Sequence, residues 1–301
     1  MDVADLKMFE AVVRLGTMKR AAEELNTVQS NVTARIKALE DDLGIPLFQR
    51  HARGASATQA GQRMLPFAGR IIKLMADARA AAMDDGEPNG PLQIGSLETT
   101  TALRLAPLLS RFTAAYPEVQ LTVTTGTTAR LVTEVLEYKL DGAFVVGPVN
   151  HPDLHRRMVF KEELVLVTPI SIGTPKELKL NGRLKTIVFR AGCSYRQRLE
   201  NFLACMGIAN AKPLELGSLD AIIACVEAGV GVSLLPRGVV ASAVKVGRVS
   251  AHTLPAEQAD AETIFIRRKD AYSSNAMRAF LELYQPAQKE EGLVMSAWTI
   301  A

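Results

Sequence analysis

Residues 84–91 read Asp84-Asp85-Gly86-Glu87-Pro88-Asn89-Gly90-Pro91, and the hydrophobic period changes across them. Before this run, apolar residues recur at helical spacing with hardly any strand signal. After it, short β-branched runs alternate with helical ones. Turn formers and charges between two periodic segments are linker chemistry, so the chain must contain folding units of different class. A length of 301 residues fits two or three such units. The apolar fraction of 48% against 22% charged residues excludes a disordered chain or a coiled-coil rod.

The most apolar stretch, Ala221 to Pro236, is cut by Glu227 and dotted with glycines. It falls short of the roughly 18 uncharged residues a membrane span requires, so no membrane partner is expected. The opening MDVADLKMFE carries Asp2 and Asp5 and no basic flank, unlike a secretory leader. Three cysteines make no disulfide framework, and a reducing, cytoplasmic setting is expected. The net charge of +3 is too mild to mark a nucleic-acid binder, so DNA binding has to be argued from a local constellation.

After the linker the alternation is regular. Strand-like PLQIGSL (91–97), VQLTVTTG (119–126) and GAFVVG (142–147) are separated by helical runs ending near Tyr116 and Leu140. HRRMVF and ELVLVTP come next, then KTIVFR (185–190), a helix from about Ser194 to Met206, and PLELG (213–217). A helix over Leu219 to Ala228, a strand GVGVSLLP, ETIFIRR (262–268) and a closing helix from about Ser273 complete the set. Such alternation implies βαβ units, mainly parallel sheets and two similar α/β lobes. No short fixed period suggests a solenoid.

The segment before the linker carries the sharpest signal. Leu6, Phe9, Val12 and Val13 stripe a first helix that Gly16 ends. Thr17 can cap a second helix, Met18 to Leu25, with small Ala21 and Ala22 on its inner face. A third helix runs from about Val28 to Leu39, with Val28, Val32, Ile36 and Leu39 inward. Its outer face bears Gln29, Asn31, Thr33 and Arg35, side chains that read base edges and phosphates. A polar surface helix would show the same face, but residues 43–61 favour a helix-turn-helix. There, LGIPLFQR and HARGASATQAG read as a two-stranded wing with Arg50 and Arg53 at its tip. From Arg14 to Thr58, seven Lys and Arg (14, 19, 20, 35, 37, 50, 53) face five acids (23, 24, 40, 41, 42) that fall on helix ends and the far face.

Together, Phe9, AAEEL (21–25), QSNVTARIKALEDDLGIPLFQR (29–50), Thr58 and Gly61 resemble the winged helix-turn-helix of LysR-type transcriptional regulators. The resemblance is dense over residues 1 to about 85 and extends to the rest by architecture and length. It implies an all-α winged helix-turn-helix domain over 1–58 and a dimerisation linker helix and hinge over 59–87. A periplasmic-binding-protein-like α/β effector domain over 88–301 would complete the chain, with lobe I at 91–167 and 268–301 and lobe II at 168–267. The family often has Gln-Pro-Ala-Leu-Ser where this chain has Gln29-Ser30-Asn31-Val32-Thr33, so Ser30 joins the polar groups and the operator is expected to differ. Thr17 and Lys19 complete the expected DNA-contacting set.

The linker helix would run from Thr58 to about Met83, with Leu65, Ala68, Ile72, Met75 and Ala82 along a dimer seam and Pro66 kinking or loosening one turn. Two heads on one dimer fit half-sites about one turn, ~34 Å, or a multiple apart. The implied partners are double-stranded DNA, a small-molecule effector, a homodimer or homotetramer partner and, among the family's further contacts, RNA polymerase. The implied function is sequence-specific regulation of transcription in a bacterium, with no enzymatic activity, no cofactor and no metal.

Ligands of open α/β sheets sit beyond the carboxyl ends of strands and against helix N-termini. Four segments qualify: Ser96, Glu98, Thr99 and Thr100; Thr125 and Thr127; Gly147 and Pro148; and, across the cleft, Cys193, Ser194, Tyr195 and Arg196. Hydroxyls at helix starts also serve as N-caps. Glu98 would repel an anionic effector unless Arg190 or Arg196 balances it. Hydroxyl-rich ends facing an Arg-bearing loop favour a small polar or carboxylate-bearing effector.

A redox sensor using Cys193 and Cys205 is the alternative. Cys193 at a helix start near two arginines should have a lowered thiol pKa. Cys205 lies about 18 Å along the same helix, so pairing them requires unwinding. Cys225 falls on an apolar stripe. P-loop, GxSxG, HExxH and CxxC motifs are missing from the sequence, and His151 and His155 flank Pro152 in what reads as a solvated loop.

Overall fold

The computed structural model describes residues 1–51, 54–83, 86–180, 184–208 and 211–284. The chain forms two compact units, the first built mainly from residues up to 85 and the second mainly from residues 86 onward.

In the first unit, Asp2 starts α1 (Val3–Leu15) through a capping box. Its carboxylate accepts from the Asp5 N–H at 2.8 Å, and that of Asp5 accepts from the Asp2 N–H at 2.8 Å. Gly16 ends the helix in the left-handed region at φ 74°, as expected. Thr17 caps α2 (Met18–Glu24) by accepting from the Arg20 N–H, and a short turn leads to α3 (Gln29–Leu43). Phe9, Val12, Ala21, Val32, Ile36 and Leu39 form the fully buried core of these three helices. Val28, expected inside, is 64% exposed: it is the N-cap of α3 and precedes the stripe that faces the core.

The wing is β1 (Phe48–His51) paired antiparallel with β2 (Gly54–Ala57). The Glu40 carboxylate on α3 accepts the Leu47 and Phe48 N–H groups at 2.7 and 2.9 Å and so fixes the entry to the wing. Gly54 passes so close to the end of α1 that a Cβ there would overlap the Gly16 carbonyl. Thr58 then caps α4 (Gln59–Ala82), which continues through Pro66. The stripe expected as a dimer seam is divided. Leu65, Ala68 and Ile72 are spent on the head's own core, whereas Phe67, Ile71, Leu74 and Met75 are 39–68% exposed.

In the second unit, β3 (Gly90–Ser96) runs parallel to β4 (Val119–Thr125) and β5 (Gly142–Val146). Between the first two lie α5 (Glu98–Thr100), a π-helical turn (Thr101–Leu105) and α6 (Ala106–Ala115). Pro107 has no N–H for the Leu103 carbonyl, which accounts for the widened turn. The helix α7 (Thr128–Leu136) leads to β5. HRRMVF and ELVLVTP, separate in the sequence pattern, form one strand, β6 (Leu154–Pro169). The charged Lys161 and Glu162 between them, followed by Glu163, break the hydrophobic run but not the backbone ladder.

Further along lie β7 (Lys185–Phe189), α8 (Ser194–Cys205), β8 (Lys212–Leu216), α9 (Leu219–Glu227), β9 (Ser233–Pro236) and α10 (Arg237–Lys245). After them come β10 (Val249–Thr253), α11 (Ala256–Ala259), β11 (Asp260–Arg268) and α12 (Asn275–Tyr284). Sequence reasoning missed α10 and β10. The sheets are mixed rather than mainly parallel: β11 lies antiparallel between β5 and β6, and β9 and β10 pair antiparallel with β6.

One strand, β6, runs through both lobes, and the chain returns to lobe I at the start of β11. Residues 154–163 of β6 pair with β11, and residues 164–169 pair with β9 and β10. The lobes therefore meet at Glu163/Leu164 and Ala259/Asp260, not at the expected 167/168 and 267/268, because β11 belongs to the sheet of lobe I. Phe112, Phe144, Phe265 and Phe280 form the lobe I core, with Phe144 and Phe265 centroids 4.9 Å apart. Ile187, Ile222, Val226 and Val240 anchor lobe II. The expected lobe I tail beyond residue 284 lies outside the described residues.

Candidate functional site

Two sites arise from this architecture, one in each unit. The helices α2 and α3 and their short connection form a helix-turn-helix. Its exposed side chains at the α3 N-terminus are Gln29, Ser30 and Asn31, with Lys19 exposed on α2 and Arg50 on the wing. Those of Gln29, Ser30, Lys19 and Arg50 have no partner among the described residues. Others in the expected set have internal tasks. Thr17 is a cap, the Asn31 amide donates to Thr27 Oγ1 at 2.9 Å, and the Thr33 hydroxyl donates to the Gln29 carbonyl at 2.9 Å. Arg35 donates to Asp5 and Asp2 at 2.7 and 3.0 Å, so it is held at the start of α1 rather than standing free for phosphate. Arg53 lies outside the described residues.

In the second unit a cleft of about 350 Å³ opens between the lobes. The end of β3 supplies Leu97, Glu98 and Thr99, and the β4–α7 connection supplies Thr125, Gly126, Thr127 and Arg130. Across the gap stand Phe189, Arg190, Ala191, Cys193 and Tyr195 after β7, and Leu216 and Gly217 after β8. These are strand ends and helix starts, where an open α/β sheet places ligands. The lobes touch around the rim. Glu98 Oε1 accepts from the Leu219 N–H at 2.7 Å, and Ser194 Oγ lies 3.4 Å from Thr128 Oγ1. Gly192, at φ 89°, sits where a Cβ would be 2.9 Å from that of Ala129 and 3.0 Å from Thr127 Oγ1.

Six of the twelve residues expected in the pocket line it: Glu98, Thr99, Thr125, Thr127, Cys193 and Tyr195. The other six do not. Ser96 is fully buried with its hydroxyl on the Leu97 carbonyl, and Thr100 is buried beside it. Gly147 and Pro148, joined by a cis peptide bond, lie off the cleft after β5. Ser194 is spent on the contact between lobes. Arg196, expected to balance an anion, is drawn away by Glu200 at 3.0 Å and Glu215 at 2.5 Å. Beyond the expected set the cleft is lined by Arg190, expected only as a counter-charge to Glu98, and by Leu97, Gly126, Arg130, Phe189, Ala191, Leu216 and Gly217. The turn Gly217-Ser218 before α9 was the signal for the last of these, since such a turn exposes a helix N-terminus.

Charge in the cleft is unevenly committed. Arg130 pairs with Glu134 at 2.8 Å one helical turn away. Arg190 lines the cleft with no carboxylate partner among the described residues, its guanidinium beside Gly217. Tyr195 is buried and hydrogen-bonded with Thr99, and burial pushes its phenol above the ordinary range. Burial likewise pushes the Cys193 thiol up, offset only in part by the Arg196 and Tyr195 N–H groups, which reverses the lowered pKa expected at this helix start. Cys205, at the far end of α8, is exposed, and both thiols are free.

Comparison with known proteins agrees with this division. Residues 3–62 match the family described as bacterial regulatory helix-turn-helix protein, lysR family, and residues 85–289 match the LysR substrate binding domain. The HTH-type transcriptional regulator GltR of Bacillus subtilis (strain 168) is 43% identical over 281 residues, covering 93% of this chain and 95% of GltR. Among solved structures, full-length CbnR complexed with its target DNA superposes with a TM-score of 0.65 at 25% identity, covering 95% of this chain and 100% of CbnR. A full-length OxyR variant from Pseudomonas aeruginosa gives 0.70 at 20% identity over 95% of each chain, which concerns the fold alone. With a helix-turn-helix head, a two-lobed substrate-binding domain and relatives matched over nearly their whole length, the chain belongs to the LysR family of DNA-binding transcriptional regulators.

Proposed function

We infer that this regulator responds to a small carboxylate-bearing effector held in the interlobe cleft, with Arg190 as its anion anchor. One observation carries the reading: Arg130 and Arg196 are neutralised by neighbouring acids, whereas Arg190 has no acid partner among the described residues. A guanidinium fork recognises a carboxylate bidentately. The Thr125 and Thr127 hydroxyls supply further hydrogen bonds, and Leu97, Phe189 and Leu216 an apolar wall. A thermal-shift screen of small carboxylates against the full chain and Arg190→Gln tests this. Saturation near 100 Kd stabilises the native chain by about 2.7 kcal/mol, and the variant is expected to lose the response.

On the DNA side, Gln29 and Ser30 are assigned to base edges and Lys19 and Arg50 to phosphates, with Thr17, Asn31 and Thr33 holding the reading helix in place. Dimerisation is assigned to the exposed stripe Phe67, Ile71, Leu74 and Met75 of α4. Effector-dependent change in lobe angle would then alter the spacing of paired heads. Family membership supports a regulator rather than an enzyme. No helix among the described residues is long and apolar enough to cross a membrane. A DNA target supports a cytoplasmic location.

A further inference from the structure

We propose that the effector is a zwitterion, an amino acid in chemical class, and that Glu98 is the residue that selects its ammonium group. This rests on Arg190 as the carboxylate anchor. Glu98, Arg130 and Arg190 are the charged residues of the cleft wall, and Arg130 is paired with Glu134. Glu98 and Arg190 reach the same short turn from opposite lobes. Glu98 Oε1 accepts the Leu219 N–H at 2.7 Å, and Arg190 Nη2 lies 3.5 Å from the Cβ position of Gly217.

This arrangement decides between ligand classes. A simple carboxylate docked on Arg190 would bring its negative charge toward Glu98 with no counter-ion between them. Glu98 is not free to leave, because its carboxylate satisfies the first N–H of α9 at the positive end of that helix. Its other oxygen, Oε2, has no partner among the described residues. An ammonium group fits between the two: it donates to Glu98 Oε2 while the carboxylate of the same molecule takes Arg190. The Thr125 and Thr127 hydroxyls accept and donate the remaining bonds, and Leu97, Phe189 and Leu216 face an apolar side chain. A cleft of about 350 Å³ is of the right size for a free amino acid.

The test uses the full chain and three equimolar pools: the twenty protein L-amino acids, their deaminated carboxylic acids and their decarboxylated amines. Thermal shift ranks the pools, and calorimetry then measures the best single amino acid. The amino-acid pool alone is expected to stabilise the native chain. Glu98→Gln keeps an acceptor for Leu219 but removes the charge, and should weaken the hit by about ten- to a hundredfold while improving the response to deaminated acids. Amide exchange at Leu219 confirms that this variant keeps the contact between lobes. Silence of the amino-acid pool, equal stabilisation by deaminated acids, or unchanged affinity in Glu98→Gln would overturn the assignment. If deaminated acids bind and lose binding in Arg190→Gln, the anion anchor stands and the role of Glu98 falls. If no pool depends on Arg190, both fall.

Discussion

Arg35 on α3 donates to Asp5 on α1 at 2.7 Å, so the arginine that the outer-face pattern assigned to DNA also ties the reading helix to the first helix of the head. Arg35→Ala is therefore expected to lower the melting temperature of the head and to weaken binding to all DNA sequences alike. A double-mutant cycle with Asp5→Ala should show the two losses to be non-additive. Full additivity would contradict the coupling.

Asp2 belongs to the same junction. The Asp5 N–H and then Arg35 hold its carboxyl below the usual range. A folded pKa below the unfolded one means that the stabilisation is complete above the ordinary carboxylate range and is lost as pH falls through and below it. Acid unfolding tracked by circular dichroism should be less steep over that window in Asp2→Asn than in the native chain.

The Gln29 side chain is exposed with no partner among the described residues, and its amide can read an adenine edge bidentately. Gln29→Ala should change base preference at one position of each half-site, by about 1–3 kcal/mol of discrimination, with little effect on melting. Selection from a randomised duplex library measures this directly. A uniform loss across sequences would place Gln29 outside the base-reading set.

Cys193 bears on redox control. With its thiol pushed up by burial, the reactive thiolate is scarce at neutral pH. Iodoacetamide labelling and mass spectrometry should find exposed Cys205 modified first, with the Cys193 half-point displaced to higher pH than an ordinary cysteine. Faster labelling of Cys193 would favour a redox role.

Gly192 lies at φ 89° against Ala129 and Thr127. Gly192→Ala is expected to cost about 1–3 kcal/mol for the backbone conformation alone, and the added methyl should hold the lobes apart. Amide exchange at Leu219, protected by Glu98 in the native chain, should then accelerate.

Much of this molecule was legible in its sequence because local chemistry and tertiary packing agree there. Gly16, Thr17 and Thr58 act where helix-capping rules put them, and Val32, Ile36 and Leu39 point inward as their spacing requires. What was not legible depended on long-range pairing. No local rule shows that β11 returns to lobe I between β5 and β6, or that Lys161-Glu162-Glu163 stays in a continuous strand. The cleft shows the same limit. Arg196 carries the expected chemistry but is captured by Glu215, nineteen residues on, whereas Arg190 is left to the cleft. Glu98 looked like an obstacle to an anion until its bond to Leu219, 121 residues away, supplied a reason for its place.

The central claim is that an anion held by Arg190 governs DNA occupancy. Operator duplexes enriched from a random library on the full chain, titrated by fluorescence anisotropy with and without the stabilising amino acid or carboxylate, test it most directly. The native chain should change its operator affinity or footprint on ligand addition, and Arg190→Gln should bind the same operator with no ligand response. An identical ligand response in both proteins would contradict the account.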